Sequence, residues 1–408
     1  MLCRYCKSRV DLELIDLGSA PLSNAYLSEI TLRRPEKWFP LRVAVCEKCW
    51  LVQAEVYSRS AEIFSEDYAY FSSFSSDWLE HARQLSELLT KRLNLDKNSF
   101  VIEIGSNDGY LLRNFVANGV RVLGIEPTAS TAAAARLLGV ATLEKFFDPS
   151  LAEELVAQHG KADLIVAINV FAHVPYPLEV LNGVRMLLSE DGIFSVEFPH
   201  VMTLVESCEF DTIYHEHFSY FSFTTVEQMM RDSGLVVTCV DELPTHGGSL
   251  RVTAMRADST QVLIDPSVSL LLQKEVESGV QTAEFYRNFQ TQALRVKDQF
   301  LSFLLNERRN GRTVVGYGAA AKGNTLLNFA GTKSDLVKFV VDKNPNKIGR
   351  FLPGSRIPIV SEDKLRTEKP EVILILPWNL TSEIERQLAY VREWGAKLAV
   401  AIPELKLW

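Results

Sequence analysis

Phe100-Val-Ile-Glu-Ile-Gly-Ser-Asn-Asp-Gly109 is the stretch on which the architecture of this chain turns. Its first half is apolar apart from Glu103, as expected of a strand buried on both faces of a parallel sheet. Its second half is a turn bounded by two glycines. A helix is expected to follow over residues 110–118. Outward from this unit the pattern repeats, with strands over 120–125, 164–168 and 192–198, helical segments between them, and an amphipathic stretch over 78–95 in front. Strands alternating with helices make an α/β, doubly wound sheet whose ligands sit at the carboxyl ends of the strands. A second unit begins at Arg312, with a strand over 313–316, the turn Gly316-Tyr-Gly318, and a strand over 337–341 ending at Asp342. The helical stretch over 263–310 is expected to pack between the two sheets.

A chain of 408 residues is too long for one ordinary domain. Its 47% hydrophobic and 23% charged residues fit soluble globular domains. The net charge of −8 argues against a general nucleic-acid surface, so any contacts to a phosphorylated ligand must be local. No apolar run reaches membrane-spanning length, and the N-terminus runs straight into Cys3 without a signal-peptide core. A cytoplasmic location is expected, where six cysteines do not form a disulfide framework.

Four of those cysteines make two pairs, Cys3-Arg-Tyr-Cys6 and Cys46-Glu-Lys-Cys49. Two C-x-x-C pairs close a tetrahedral site, which leaves no position for water and therefore reads as a structural zinc ion. The long segment between the pairs implies knuckles that enclose an inserted loop. So small a module draws folding energy from the metal.

The Gly105 turn admits two nucleotide cofactors. A dinucleotide fold wants G-x-G-x-x-G, but here the second glycine is missing and acidic Glu103 precedes the turn. S-adenosylmethionine carries no phosphate, and its cationic end and ribose diol suit acidic and carbonyl surroundings. Glu126, at the end of the second strand, is placed for the ribose; Gly105 lets the backbone approach the methionine moiety; Asn107 and Asp108 suit its amino-acid end, although Asp108 also suits a helix cap. These residues favour the methyl donor.

Five of the seven histidines fall between His173 and His246, the densest run being Tyr214-His-Glu-His217. If extended, this run puts Tyr214 and Glu216 on one face and His215 and His217 on the other. A metal site, a satisfied core cluster, or a base that removes a proton beside a ketone are all open to it. In the last case a histidine takes the proton, tyrosines stabilise the enolate, and a carboxylate orients the base.

Taken together, these motifs resemble the S-adenosylmethionine-dependent sugar C-methyltransferases of deoxysugar pathways, which act on dTDP-linked 4-keto-6-deoxyhexoses, typically at C-3. The resemblance spans nearly the whole chain: the two cysteine pairs, Tyr68-Ala-Tyr70-Phe-Ser-Ser, Glu103-Ile-Gly-Ser-Asn-Asp-Gly109, Asn169-Val-Phe-Ala-His173, Tyr214-His-Glu-His217, His246-Gly-Gly-Ser249 and Gly316-Tyr-Gly-Ala-Ala-Ala-Lys-Gly-Asn324. It implies that His217 removes the sugar proton, with Tyr214, Glu216, His173 and Tyr68 in the same catalytic site. The enolate carbon would then attack the sulfonium methyl and invert. Glu103, Gly105, Asn107, Asp108, Gly109, Glu126 and Asn169 would hold the cofactor. Tyr70 would meet the substrate, as would Lys322 and Asn324 at a helix N-terminus suited to phosphate. Zinc, S-adenosylmethionine and a nucleotide sugar are the expected ligands, with a monomer or weak dimer as the assembly. The expected division is a zinc module at 1–62, a Rossmann-like methyltransferase domain at 63–300 and a Rossmann-like domain at 301–408.

One rival reading remains. Gly316-x-Gly318 followed by Asp342 resembles a dinucleotide site better than the central turn does, and would make the chain a nicotinamide-dependent sugar oxidoreductase. Against it, the third glycine is displaced to Gly323 and Lys322 interrupts the turn.

Overall fold

The computed structural model describes residues 1–57 and 71–408, so Tyr68 and Tyr70 lie outside the described residues. The N-terminal part is an antiparallel sheet of Leu12–Ala20 (β1), Phe39–Val45 (β2) and Val52–Ala54 (β3). The segment between the cysteine pairs therefore holds an antiparallel strand pair joined by a long connection over residues 21–38.

Helix Ser76–Leu93 follows, its first turn capped by Ser75, whose hydroxyl accepts from the Trp78 amide, and its end closed by Asn94 in the left-handed region. The central strands are Phe100–Ile104 (β4), Arg121–Ile125 (β5), Thr142–Leu143 (β6), Ala162–Ile168 (β7) and Leu188–Pro199 (β8). Ser219–Tyr220 (β9) leaves this region to pair with β3. Leu235–Leu243 (β10) and Ser249–Arg256 (β11) complete the central sheet in the order β10-β11-β8-β7-β4-β5-β6, with β11 running against its neighbours. All of β4 is buried, Glu103 included, as its otherwise apolar run leads one to expect. The order reverses between β4 and β7, and that switch point is where a doubly wound sheet opens a crevice.

The third sheet, β14-β13-β12-β15-β16-β17, comprises Val314–Tyr317 (β12), Val340–Val341 (β13), Ile359–Val360 (β14), Val372–Ile375 (β15), Lys397–Val400 (β16) and Lys406–Leu407 (β17). It is parallel except for β17. Helix Phe289–Arg309 buries Phe289, Val296, Phe300 and Leu304 in one core with β1, β2 and the C-terminal sheet, whereas helix Pro266–Ser278 packs Val268 and Leu271 on the central sheet. The helical stretch thus divides between the two sheets. No helix among the described residues is long and apolar enough to cross a membrane.

Candidate active site

The four cysteine sulfurs lie within 4.8 Å of one another, and the Cys3–Cys49 and Cys6–Cys46 pairs are each 3.5 Å apart. Four sulfurs about 2.3 Å from one zinc stand at comparable mutual distances. Each pair sits in the same backbone turn. The Lys7 amide donates to the Cys3 carbonyl and the Cys3 amide to Ser8; the Trp50 amide donates to Cys46 and the Cys46 amide to Leu51. Lys7 and Trp50 both adopt positive φ, of 59° and 61°. Two such knuckles facing each other fit one closed tetrahedral ion.

A cavity of about 490 Å³ opens at the carboxyl ends of β4, β5 and β7. Gly105 approaches it so closely that an added Cβ would lie 2.3 Å from a Val170 methyl, and its φ of +67° excludes most side chains. Asn107 and Glu126 line the wall. The Asn107 amide donates to Glu126 Oε2 at 2.9 Å, the Thr128 amide and hydroxyl donate to Oε1, and Asn107 Oδ1 accepts from the Ser72 amide. Asn169, held at φ 55° after β7, also lines the cavity, and its buried Oδ1 has no hydrogen-bond partner among the described residues. An unsatisfied acceptor, an acidic strand end and a bare glycine backbone suit the amino, ribose and methionine parts of S-adenosylmethionine.

Three of the sequence candidates support this wall from behind rather than lining it. Glu103 is fully buried, which pushes its carboxyl well above the ordinary range; a hydrogen bond with Tyr110 opposes the shift. Asp108 accepts from the Ser73 amide, and Gly109, at φ +79°, sits where an added Cβ would lie 3.1–3.2 Å from Ala135. Sequence reasoning missed Pro127, Phe146 and Phe147, which line the same cavity at the ends of β5 and β6. Only a confident placement of the two-residue strand β6 would have found the two phenylalanines.

The histidine run is not extended. The His217 amide closes on the Tyr214 carbonyl at 2.9 Å, making a turn that brings Tyr214, Glu216 and His217 together into the cavity. His215 faces elsewhere, its Nε2 near the carbonyls of Phe39 and Pro40. His217 Nδ1 lies 2.8 Å from the Thr212 carbonyl. A carbonyl only accepts, so Nδ1 carries the proton and the lone pair is left on Nε2. The ring centroid is 4.0 Å from Tyr214 and 4.7 Å from His173. Burial, helped by the neighbouring His173, Lys322 and His246 and opposed by the Thr212 hydrogen bond, holds His217 well below its ordinary value, so the imidazole is neutral. His173, also on the wall, is lowered by burial to about 4 against a hydrogen bond to the Glu216 backbone. Glu216 Oε1 accepts from Asn24 at 2.7 Å.

Lys322 reaches this cavity from the C-terminal domain. Its ammonium donates to the His246 carbonyl at 3.3 Å and lies 4.6 Å over the Trp378 ring. Burial lowers its pKa, while Asp211 and Glu209 behind it work the other way. Asn324, by contrast, is turned away: it lines neither of the two main cavities and donates to the Ser23 carbonyl at 3.3 Å. His246 was not assigned a role from sequence, yet its half-buried ring lies at the cavity wall, its buried Nε2 has no hydrogen-bond partner among the described residues, and its pKa is lowered by burial to about 3. A second cavity of about 370 Å³, at the carboxyl ends of the C-terminal sheet, shares Trp78, His246, Lys347 and Pro377 with the first.

Comparison with known proteins gives matches along the whole chain. Residues 244–403 match the family described as "C-methyltransferase C-terminal domain", residues 78–240 a "Methyltransferase domain" and residues 3–64 a "Putative zinc binding domain". The C-methyltransferase NovU of Streptomyces niveus is 36% identical over 402 residues, covering 98% of this chain and 95% of NovU. Two solved structures that resemble the chain cover less than half of it. The PH0226 protein of Pyrococcus horikoshii OT3 covers 46% of this chain and 95% of its own at 16% identity and a TM-score of 0.38. Magnesium protoporphyrin IX methyltransferase of Synechocystis PCC 6803, with bound S-adenosylmethionine, covers 44% and 79% at 15% identity and a TM-score of 0.34. Scores this low add nothing to the full-length match.

Proposed function

The chain belongs to the S-adenosylmethionine-dependent C-methyltransferases, and from that premise we propose that it methylates the carbon beside the ketone of a nucleotide-linked 4-keto-6-deoxy sugar, dTDP-linked and at C-3. The observation that carries this reading is the Tyr214–His217 turn, which puts a neutral imidazole with a fixed tautomer into the same cavity as the Gly105 turn. When bound, S-adenosylmethionine supplies an electrophilic methyl group. Gly105, Asn107 and Asn169 hold its methionine end, Glu126 its ribose, and Phe146 and Phe147 offer aromatic surface to its adenine, with Glu103, Asp108 and Gly109 bracing that wall.

His217 Nε2 takes the carbon-bound proton beside the ketone. Its Nδ1–H stays on Thr212, so the ring does not rotate as it gains charge. The charge that moves onto the ketone oxygen needs donors already in place. The Tyr214 hydroxyl and the Lys322 ammonium are two groups of this cavity fit for such an oxygen, or for a phosphate oxygen of the same substrate. His173 and Glu216 shape the turn around the base. The nucleotide end fits the second cavity, joined to the first at Trp78 and His246. Tyr68 and Tyr70 complete the site in this reading.

Transfer of tritium from methyl-labelled S-adenosylmethionine to a dTDP-4-keto-6-deoxyhexose tests the proposal. Labelled sugar is expected from the unaltered chain and none from His217→Ala. Full transfer by His217→Ala overturns the role of the base. Turnover of a nicotinamide cofactor without methyl transfer overturns the reaction.

A further inference from the structure

The zinc knuckle and the catalytic turn touch through one side chain. Arg4 lies inside the first cysteine pair, so an ion held by Cys3 and Cys6 would also fix the backbone from which Arg4 leaves. Its guanidinium forks to two carbonyls: Nη1 donates to Phe218 at 2.7 Å and Nη2 to Ala54 at 2.5 Å. Its own amide donates to Gln53 Oε1 at 3.0 Å. The Phe218 carbonyl belongs to the residue that follows His217. The Phe218 amide is held in turn by the Ala172 carbonyl at 2.8 Å, next to His173. The backbone just after His217 is thus gripped on both sides, and the imidazole is pinned through Nδ1 to Thr212. Two further bonds tie the knuckles to the chain after the base: Thr225 Oγ1 donates to the Cys49 carbonyl at 3.0 Å, and Tyr5 hydroxyl to Asp232 at 2.5 Å.

We propose that the zinc knuckle acts on the reaction, with Arg4 as the positioning residue that carries its order to His217. The inference rests on the reading of His217 as the base. A planar fork is suited to this task because it fixes two acceptors at once, and a lysine reaches only one. Loss of the fork leaves the fold intact, because Ala54 still donates its amide to the Phe218 carbonyl at 3.1 Å and β3 still pairs with β9. What is lost is the constraint on the base. A displacement of about 1 Å at a reacting group costs about a hundredfold in rate.

The experiment compares the full chain with Arg4→Met, Arg4→Lys, His217→Ala and the Arg4→Met/His217→Ala double variant. Zinc content is expected to stay at about one ion per chain in all of them. In Arg4→Met, kcat is expected to fall about 10- to 100-fold with both KM values little changed, and Arg4→Lys to recover part of the loss. The double variant is expected to be no slower than His217→Ala, because residues acting as one unit are not additive. Nitrogen-15 NMR of the resting protein gives a readout apart from turnover: the His217 Nδ1–H, protected by Thr212, is expected to exchange faster with water in Arg4→Met. An unchanged kcat, a multiplicative loss in the double variant, or unaltered Nδ1–H exchange overturns the inference. Full activity in His217→Ala removes the base reading beneath it, an outcome distinct from any result with Arg4→Met alone.

Discussion

Glu126→Gln separates the two tasks assigned to this carboxylate. In the folded chain Oε2 accepts from the Asn107 amide at 2.9 Å, while Oε1 accepts from the Thr128 amide at 2.9 Å and from the Thr128 hydroxyl. A carboxamide has one acceptor oxygen. If it keeps the Thr128 pair, its NH₂ is turned onto the Asn107 N–H, donor against donor. A buried N–H left without an acceptor costs about 1–3 kcal/mol. Asn107 already sits at φ 47°, so the turn has little margin to absorb this without shifting. A ribose hydroxyl that bonded the carboxylate loses in addition about half of a charge-assisted interaction of about 1.5–3 kcal/mol. The sum, about 1.8–4.5 kcal/mol, corresponds to a rise of about 20- to 1,600-fold in the Kd for S-adenosylmethionine, since each factor of ten is about 1.4 kcal/mol. Calorimetric titration with the cofactor or its demethylated product reads the Kd directly. Circular dichroism and zinc content, both expected to be unchanged, show that the chain is still folded. A Kd within threefold of the unaltered chain would refute the assignment of Glu126 to the ribose and the geometry behind it.

Gly105→Ala is expected to abolish cofactor binding while leaving the zinc module intact. The new methyl meets Val170 at 2.3 Å in a left-handed backbone, costing about 1–2 kcal/mol for the conformation and about 1–3 for the overlap; an unchanged Kd would show that the wall lies elsewhere. The pH profile follows from the burial of His217. Its charged form is disfavoured below the ordinary value of 6.5, so the neutral base persists as pH falls, and kcat/KM is expected to stay level from pH 8 down to about 6.5 with its acid limb lower still. An acid limb at or above pH 7 counts against His217 as the base.

Much of the scaffold was legible because its signals are local. A cysteine pair carries its own turn chemistry, and an apolar run such as Phe100–Ile104 declares a strand buried on both faces. The strand over 164–168 grew only slightly, to Ala162–Ile168. The second C-terminal strand shrank from 337–341 to Val340–Val341, since only two residues find partners on β12. Tyr214–His217 was harder. Its alternation of tyrosine, histidine and glutamate suits an extended chain, and nothing within the run opposes that. The partners that fold it into a turn arrive from Asn24, Phe39, Pro40 and Thr212, distant in sequence except for the last. The same holds for Arg4, whose contact with Phe218 spans 214 positions. Side chains whose partners come from other domains carry no local period, so composition and spacing are silent about them.

The C-terminal glycine turn shows how one local pattern serves two ends. Gly316-Tyr-Gly318 with Asp342 has the outline of a dinucleotide site, but its parts are otherwise engaged. Asp342 accepts from the Ala319 amide at 2.7 Å and the Asn344 amide at 2.8 Å, and lies 3.6 Å from the Lys347 ammonium, so it ties the turn to its own loop. Gly318 makes its close approach to Pro377, where an added Cβ would meet Cδ at 2.5 Å, rather than to a pyrophosphate. Gly323 is packed in the same way against Leu376. Lys322, the residue that breaks the fingerprint, extends instead toward His246 and Trp378 and into the methyltransferase cavity. Trp378 is itself fixed by Asp211, one residue before the Thr212 carbonyl that orients His217. The glycines of this turn let strand, loop and helix pack closely enough to present an ammonium to a site that the other sheet opens.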